Sequence, residues 1–319
     1  MTGGGGGPQD RPPERPGGPG DPLGSRSGPS NPPPGESRPS ASDPYSVQPS
    51  TMRFGPPPQP TFIERQVDSW LGLLRHLGQV AEMTLGTLRA GFRRPFEGKA
   101  IIAQLEAVGV ASMGIVTVTS VFIGMVMAVQ FAFGLRKFGG MEYTPRVISL
   151  SFARELAPTL TAIIVGGRIG AGMAAEVGAM AVTEQIDAVR ALGADPLKKL
   201  VWPRLVASVI VLPLLGAIAL VLGVGGAMVV TDLQFDIPAS FFLRSSLSTI
   251  TMMDFAAGLV KTPVFGAIIA LTGCHFGMTT RGGTAGVGNS TTRTVVAISI
   301  AIFIADFFLT KAVIAVWPA

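Results

Sequence analysis

Five apolar runs dominate this chain, each long enough to supply the roughly 20 residues that a bilayer crossing needs. They extend over about Val108–Leu135, Leu150–Ala175, Leu205–Val230, Phe255–Met278 and Val295–Val316. Lipid offers the backbone no hydrogen-bond partner, so a segment of this kind must close its own amide ladder as a helix. An apolar fraction of 47% against 14% charged residues places the bulk of the chain in a membrane. The expected fold is an all-α integral membrane protein with five transmembrane helices.

Five crossings put the two termini on opposite sides, and the flanking cations choose which. Arg89, Arg93, Arg94 and Lys99 precede the first span. Arg190, Lys198, Lys199 and Arg204 separate the second from the third, and Arg281 and Arg293 separate the fourth from the fifth. The other side carries Arg136, Lys137, Arg146 and Arg244, with Lys261 and Lys311 ambiguous near span ends. The bias favours a cytoplasmic N-terminus and an external C-terminus, although the first outer loop is unusually basic. A calculated pI near 9.8 does not imply nucleic acid, because the cations form no single aromatic-lined patch.

Ahead of the spans, residues 1–60 are nearly half Gly and Pro with balanced charge. Such a segment buries too little surface to offset its ordering entropy and is expected to be a disordered cytoplasmic tail, solvated or docking. It lacks the apolar core of a signal peptide. Residues 62–96 carry an apolar stripe at Ile63, Val67, Trp70, Leu71, Leu74, Leu77 and Val80, opposite Glu64, Arg65, Asp68, Arg75 and Gln79. They read as an amphipathic helix lying on the cytoplasmic leaflet, with an ordinary soluble amphipathic helix as the alternative. Residues 61–319 are expected to form one membrane domain.

Between the second and third spans the pattern breaks at EVGAMAVTEQIDAVRALGADPLKKLVWPR, Glu176 to Arg204. Val182, Ile186, Val189 and Leu192 recur at helical spacing, with Thr183, Glu184, Gln185, Asp187 and Arg190 on the other faces. Gly193-Ala194 interrupts, and Asp195-Pro196 is a cap and first-turn pair for a new helix. A membrane protein that only crosses the bilayer needs no more than a turn here. A short helix with its polar side outward suits docking of a soluble partner, and points to a transporter subunit driven from the cytoplasm.

Hydrolytic chemistry is not visible in the chain. Gly98-Lys99 is followed by Ala100 and lacks the upstream glycine of a phosphate-cradling loop. His76, His275 and the single Cys274 have no metal-ligand or nucleophile spacing, so neither metal nor cofactor is called for. Gly166, Gly170 and Ala174, four residues apart, favour close helix contact in lipid. Ionisable residues inside spans are expensive and seek partners. Arg154 and Glu155 are adjacent, so they must find those partners on other elements, as a structural pair or facing headgroup and cavity. Arg168 and Glu176 read as structural. The loop Thr279 to Arg293 is expected to reverse the chain, with Asn289 or Ser290 capping the fifth helix, or to form a second docking contact.

The runs Arg154-Glu155-Leu156-Ala157-Pro158, Gly167-Arg168-Ile169-Gly170 and Ala175-Glu176-Val177-Gly178-Ala179-Met180 resemble the MlaE/YrbE permease family. So do Thr183-Glu184-Gln185-Ile186-Asp187-Ala188, Asp195-Pro196 to Pro203-Arg204, and the loop from Thr280-Arg281-Gly282-Gly283 to Val296. The likeness covers about Phe62 to the C-terminus. It implies the permease subunit of an ABC-type (Mla/Mce) lipid transporter, homodimeric, in a bacterial inner membrane. Its implied partners are two copies of a cytoplasmic ABC ATPase and a periplasmic MCE-domain protein, and its implied substrate is phospholipid. The resemblance makes Val182–Leu192 a coupling helix and turns Thr183, Glu184, Gln185, Asp187 and Arg190 toward the ATPase. It places a lipid cavity between subunits, walled by spans one and two, with Met125, Val129, Phe133, Arg154 and Glu155 as candidate lining.

Two other classes stay open on the sequence. One is a self-sufficient secondary transporter using Arg168 and Glu176 as an ion relay. The other is a non-transporting membrane scaffold that recruits partners through its Pro-rich tail.

Overall fold

The computed structural model describes residues 78–91 and 98–316. The expected tail, residues 62–77 of the expected interfacial helix and its 92–97 end lie outside the described residues. Helix α1 covers residues 78–91. Five long helical rods follow: α2 Gly98–Arg136, α3 Met141–Val182, α5 Leu197–Phe235, α7 Met252–Met278 and α8 Gly283–Val316. Two short helices join them, α4 Gln185–Ala191 between α3 and α5, and α6 Ala239–Thr249 between α5 and α7. All five expected spans lie inside these rods, which run several residues further at most ends because polar residues continue the helices beyond the apolar runs.

Small residues set how closely the rods pack. A Cβ on Gly124 of α2 would overlap the carbonyl oxygen of Gly223 in α5, and one on Gly226 would meet the carbonyl of Val121. The expected ridge on α3 behaves likewise. Gly166 faces Ile269 of α7 and Ile298 of α8, and Gly170 faces Ile298. Without a hydrophobic drive between helices in lipid, such close backbone approach is what makes dispersion and packing sufficient. The core between α3, α5, α7 and α8 is closed by Val165, Ile169, Leu212, Phe265, Ile269 and Ile298, all buried.

Three π-helical turns interrupt the rods, at Glu106–Val110 in α2, Phe152–Leu156 in α3 and Leu197–Val201 in α5. Such widened turns recur at functional positions. Prolines also free carbonyls inside the spans, since each lacks the N–H owed to the residue four earlier. In α7 the hydroxyl of Thr262 donates 2.8 Å to the carbonyl of Leu259, the group that Pro263 leaves without an amide.

The glycine-rich stretch after α7 departs from expectation. Only Thr279 to Gly282 turn the chain, with Gly282 at φ 91°, Gly283 at φ 65° and α8 starting at Gly283. Asn289 and Ser290 therefore lie inside the helix rather than capping it. A Cβ at Gly286 would collide with the carbonyl of Arg281, so the glycines serve a tight reversal into a helix. The basic outer loop also has a local explanation. Arg146 lies over the Tyr143 ring, 5.8 Å from its centroid, and donates 3.3 Å to Ser245 of α6, an element the sequence did not announce.

Candidate functional site

At one end of the bundle α4 projects between α3 and α5. Its N-terminal neighbour Glu184 is left-handed at φ 60°, and Gly193 beyond its C-terminus is left-handed at φ 73°. Thr183, Glu184, Gln185, Asp187 and Arg190 are all exposed, as their positions off the apolar repeat predict. The apolar side differs from expectation. Val182 ends α3, Val189 is half-buried and Leu192 is 85% exposed, leaving Ile186 as the buried anchor. The helix is shorter than its apolar repeat because the left-handed turn at Glu184 breaks the rod first. Asp195 caps the next helix as expected, its Oδ1 accepting the amide of Leu197 at 2.9 Å.

Behind α4 the ends of α3 and α5 are tied together. Glu176 Oε1 lies 2.8 Å from Arg204 Nη2, and Arg204 Nη1 donates 2.6 Å to the carbonyl of Leu200 in the π-helical turn. The arginine side chain is 5% exposed and the glutamate 59%. Helix α1 leans on the same region, with Thr87, Ala90 and Gly91 buried, Gly86 against Leu197 and Gly91 against Trp202. Arg168 points elsewhere, donating 3.0 Å to Ser112 of α2.

Toward the other end, five charged side chains from three spans meet. Arg154 bonds Asp254 Oδ1 through Nε at 2.6 Å. Asp254 in turn belongs to a capping box with Thr251 that starts α7. Beside it Lys261, 2% exposed, has Glu155 at 2.8 Å and Asp306 at 3.3 Å. Arg154 and Glu155 thus find their partners on other helices, as adjacency demands. The three partners were missed. Lys261 looked like an end charge and Asp306 was passed over, yet the cost of a lone charge in an apolar run applied to both.

None of the five candidate cavity residues borders either of two small clefts in the single chain. Met125 and Val129 are half-buried on α2, and Val129 packs toward Phe235 and Ile237. Phe133 is exposed, its ring edge-to-face with that of Phe235 at 5.3 Å between centroids. Arg154 and Glu155 face α7 and α8 but remain 39% and 40% exposed. Two small clefts of about 210 and 220 Å³ indent the bundle elsewhere. One lies between α3, α5 and α7 at Pro158, Gly216 and Phe255. The other lies between α2 and α3 at Ser120, Phe152 and Leu160.

A family model described as Permease MlaE matches residues 101–312. The chain belongs to the MlaE permease family. The match runs from within α2 to within α8 and includes α4 and the charge cluster of this MlaE permease. A probable ABC transporter permease protein of Synechocystis is 44% identical over 208 residues, covering 65% of this chain and 79% of its own. A Rickettsia bellii protein of the same description is 37% identical over 239 residues, covering 75% and 92%. The chloroplastic protein TRIGALACTOSYLDIACYLGLYCEROL 1 of Arabidopsis thaliana is 40% identical over 210 residues, covering 66% and 60%. This MlaE chain is accordingly a multi-pass membrane protein of an ABC permease family.

Proposed function

We propose that the chain is the permease subunit of an ATP-driven transporter of the Mla or Mce type, moving phospholipid or a similar hydrophobic molecule. Two copies form a homodimer in a bacterial inner membrane, N-terminus cytoplasmic and C-terminus periplasmic. Two copies of a cytoplasmic ABC ATPase dock on α4, and an MCE-domain protein exchanges lipid on the periplasmic side. The observation that carries this reading is α4 itself, a polar helix with one buried anchor, jointed at both ends and set between two long spans. ATPase closure pushes α4, and the Glu176–Arg204 tie passes the push to α3 and α5 together. The cavity between the two copies then narrows and hands over its lipid.

Two observations support the finer points. The two clefts described above are small, which agrees with a lipid site that a second copy completes. Helix α8 has 11% of its most apolar window buried and exposes Ile300, Phe303, Phe307 and Phe308, leaving apolar surface for a second copy and for lipid. A lipid cargo agrees with the name of the Arabidopsis relative, which is that of a diacylglycerol lipid. The ion-relay alternative is disfavoured, because Arg168 and Glu176 are bonded to different helices, through Ser112 and Arg204.

The test is co-purification of the full chain in mild detergent followed by reconstitution with the ATPase that accompanies it. ATP-dependent transfer of labelled phospholipid is expected, and Glu184→Lys is expected to fold normally yet lose the coupling of transfer to ATP turnover. Undiminished transfer in that variant, or transfer driven by an ion gradient with no ATPase present, would overturn the assignment.

A further inference from the structure

The surroundings of Lys261 are those of a bound cation. Its ammonium has four oxygens around it: Thr310 Oγ1 at 2.7 Å, Glu155 Oε1 at 2.8 Å, the Arg154 carbonyl at 3.2 Å and Asp306 Oδ1 at 3.3 Å. They come from two spans other than its own. Pro158 has no N–H to give the Arg154 carbonyl, so that oxygen is turned over to the ammonium. Asp306 and Thr310 sit one turn apart on α8 and share a face. Thr310 accepts from the ammonium and donates 3.1 Å to Glu155, so the cage is bonded within itself.

The local charge balance also favours a cation here. Arg154 and Asp254 neutralise each other alongside, leaving Glu155 and Asp306 with Lys261 as the cation that bonds both. Two like charges on neighbouring spans repel, and a cation bonded to both offsets that repulsion. The four contacts are hydrogen bonds of an ammonium, and a free ammonium ion would have the same oxygens within reach.

We propose that this is a monovalent-cation site whose cation is tethered, with the Lys261 ammonium standing where a free ion would otherwise bind. The tethered charge pins the outer halves of α3, α7 and α8 to one another without drawing on any ion in solution. A transporter that couples to an ion gradient must release its ion, and this one cannot leave. It follows that the cage stripped of its lysine takes up a free ammonium-sized cation. The readout below is stability, so its result is separable from the cargo and from the ATPase assignment.

The experiment uses the full chain in phospholipid nanodiscs, with thermal unfolding followed in choline, sodium, potassium and ammonium chloride at equal ionic strength. Wild type is expected to melt at one temperature in all four salts. Lys261→Ala, which vacates the lysine stem and leaves room for an ion, is expected to melt lower in choline and to recover saturably in ammonium. Adding Asp306→Asn to that variant is expected to abolish the recovery. A Lys261→Ala protein with no cation response overturns the proposal, as does a wild type that responds equally. Should Lys261→Ala fail to fold in choline, its isolation in ammonium chloride supports the site. Failure there too overturns it, provided that a neutral cage carrying Lys261→Met, Glu155→Gln and Asp306→Asn folds.

Discussion

Removing either half of the Glu176–Arg204 bridge should have unequal consequences, because its two ends lie in different surroundings. The arginine side chain is 5% exposed, its Nε finds no partner among the described residues, and its other bonds go to Glu176 and the Leu200 carbonyl. Glu176→Ala strands that buried charge. Breaking a buried pair from one side costs roughly 3–5 kcal/mol, and screening of the half-exposed carboxylate sets the expectation near 3, about a hundredfold in the folding constant. Arg204→Met removes the charge and the orphaned Nε, fills similar space and leaves Glu176 to water. Its loss is mainly the bond to Leu200, about 1 kcal/mol. The double variant should match Arg204→Met. Chemical denaturation of the three purified proteins in detergent reads the order directly. Equal losses in the single variants, or a greater loss in Arg204→Met, would refute the argument that burial decides the outcome.

Close backbone packing gives a second contrast. Gly124→Ala should destabilise by about 1–3 kcal/mol by forcing α2 away from α5, whereas Gly172→Ala, with open space around its Cβ, should keep or raise the melting temperature. Thr251→Ala removes the side chain that caps α7 and steadies Asp254, and a loss of about 1 kcal/mol is expected by the same assay. No measurable loss would show the cap to be redundant. Glu184→Gly relieves a left-handed backbone and should leave stability unchanged or higher while lowering ATP-dependent transfer. Normal transfer would show that the glutamate side chain is not part of the docking chemistry.

What the sequence shows of this fold is what depends on local order. Apolar length marks all five rods, and the small-residue ridge on α3 marks its contact with α8. Asp195-Pro196 marks a helix start whose capping bond forms between neighbours. Features decided by distant residues were not legible. Lys261 meets a carboxylate from about a hundred residues earlier and another from the following span, and nothing in its own neighbourhood signals either. The helix beginning at Gly283 defeats local propensity, because glycines that favour a loop here permit a tight reversal. On α4, Leu192 fits the periodic apolar pattern yet lies exposed, since the helix ends at Ala191 and the left-handed Gly193 turns the chain away.

The joints on either side of α4 carry a consequence for divergence among related transporters. Its direction is fixed by backbone geometry at Glu184 and Gly193, and its seat by the single side chain of Ile186. The exposed positions between, apart from the Asp187–Arg190 pair at 2.9 Å, make no bond that holds the bundle together. Substitutions there can accumulate without unfolding the membrane domain. If α4 docks the motor subunit as proposed, the segment behaves as a cassette, whose outward chemistry can be rewritten for a different motor while the membrane bundle stays as it is.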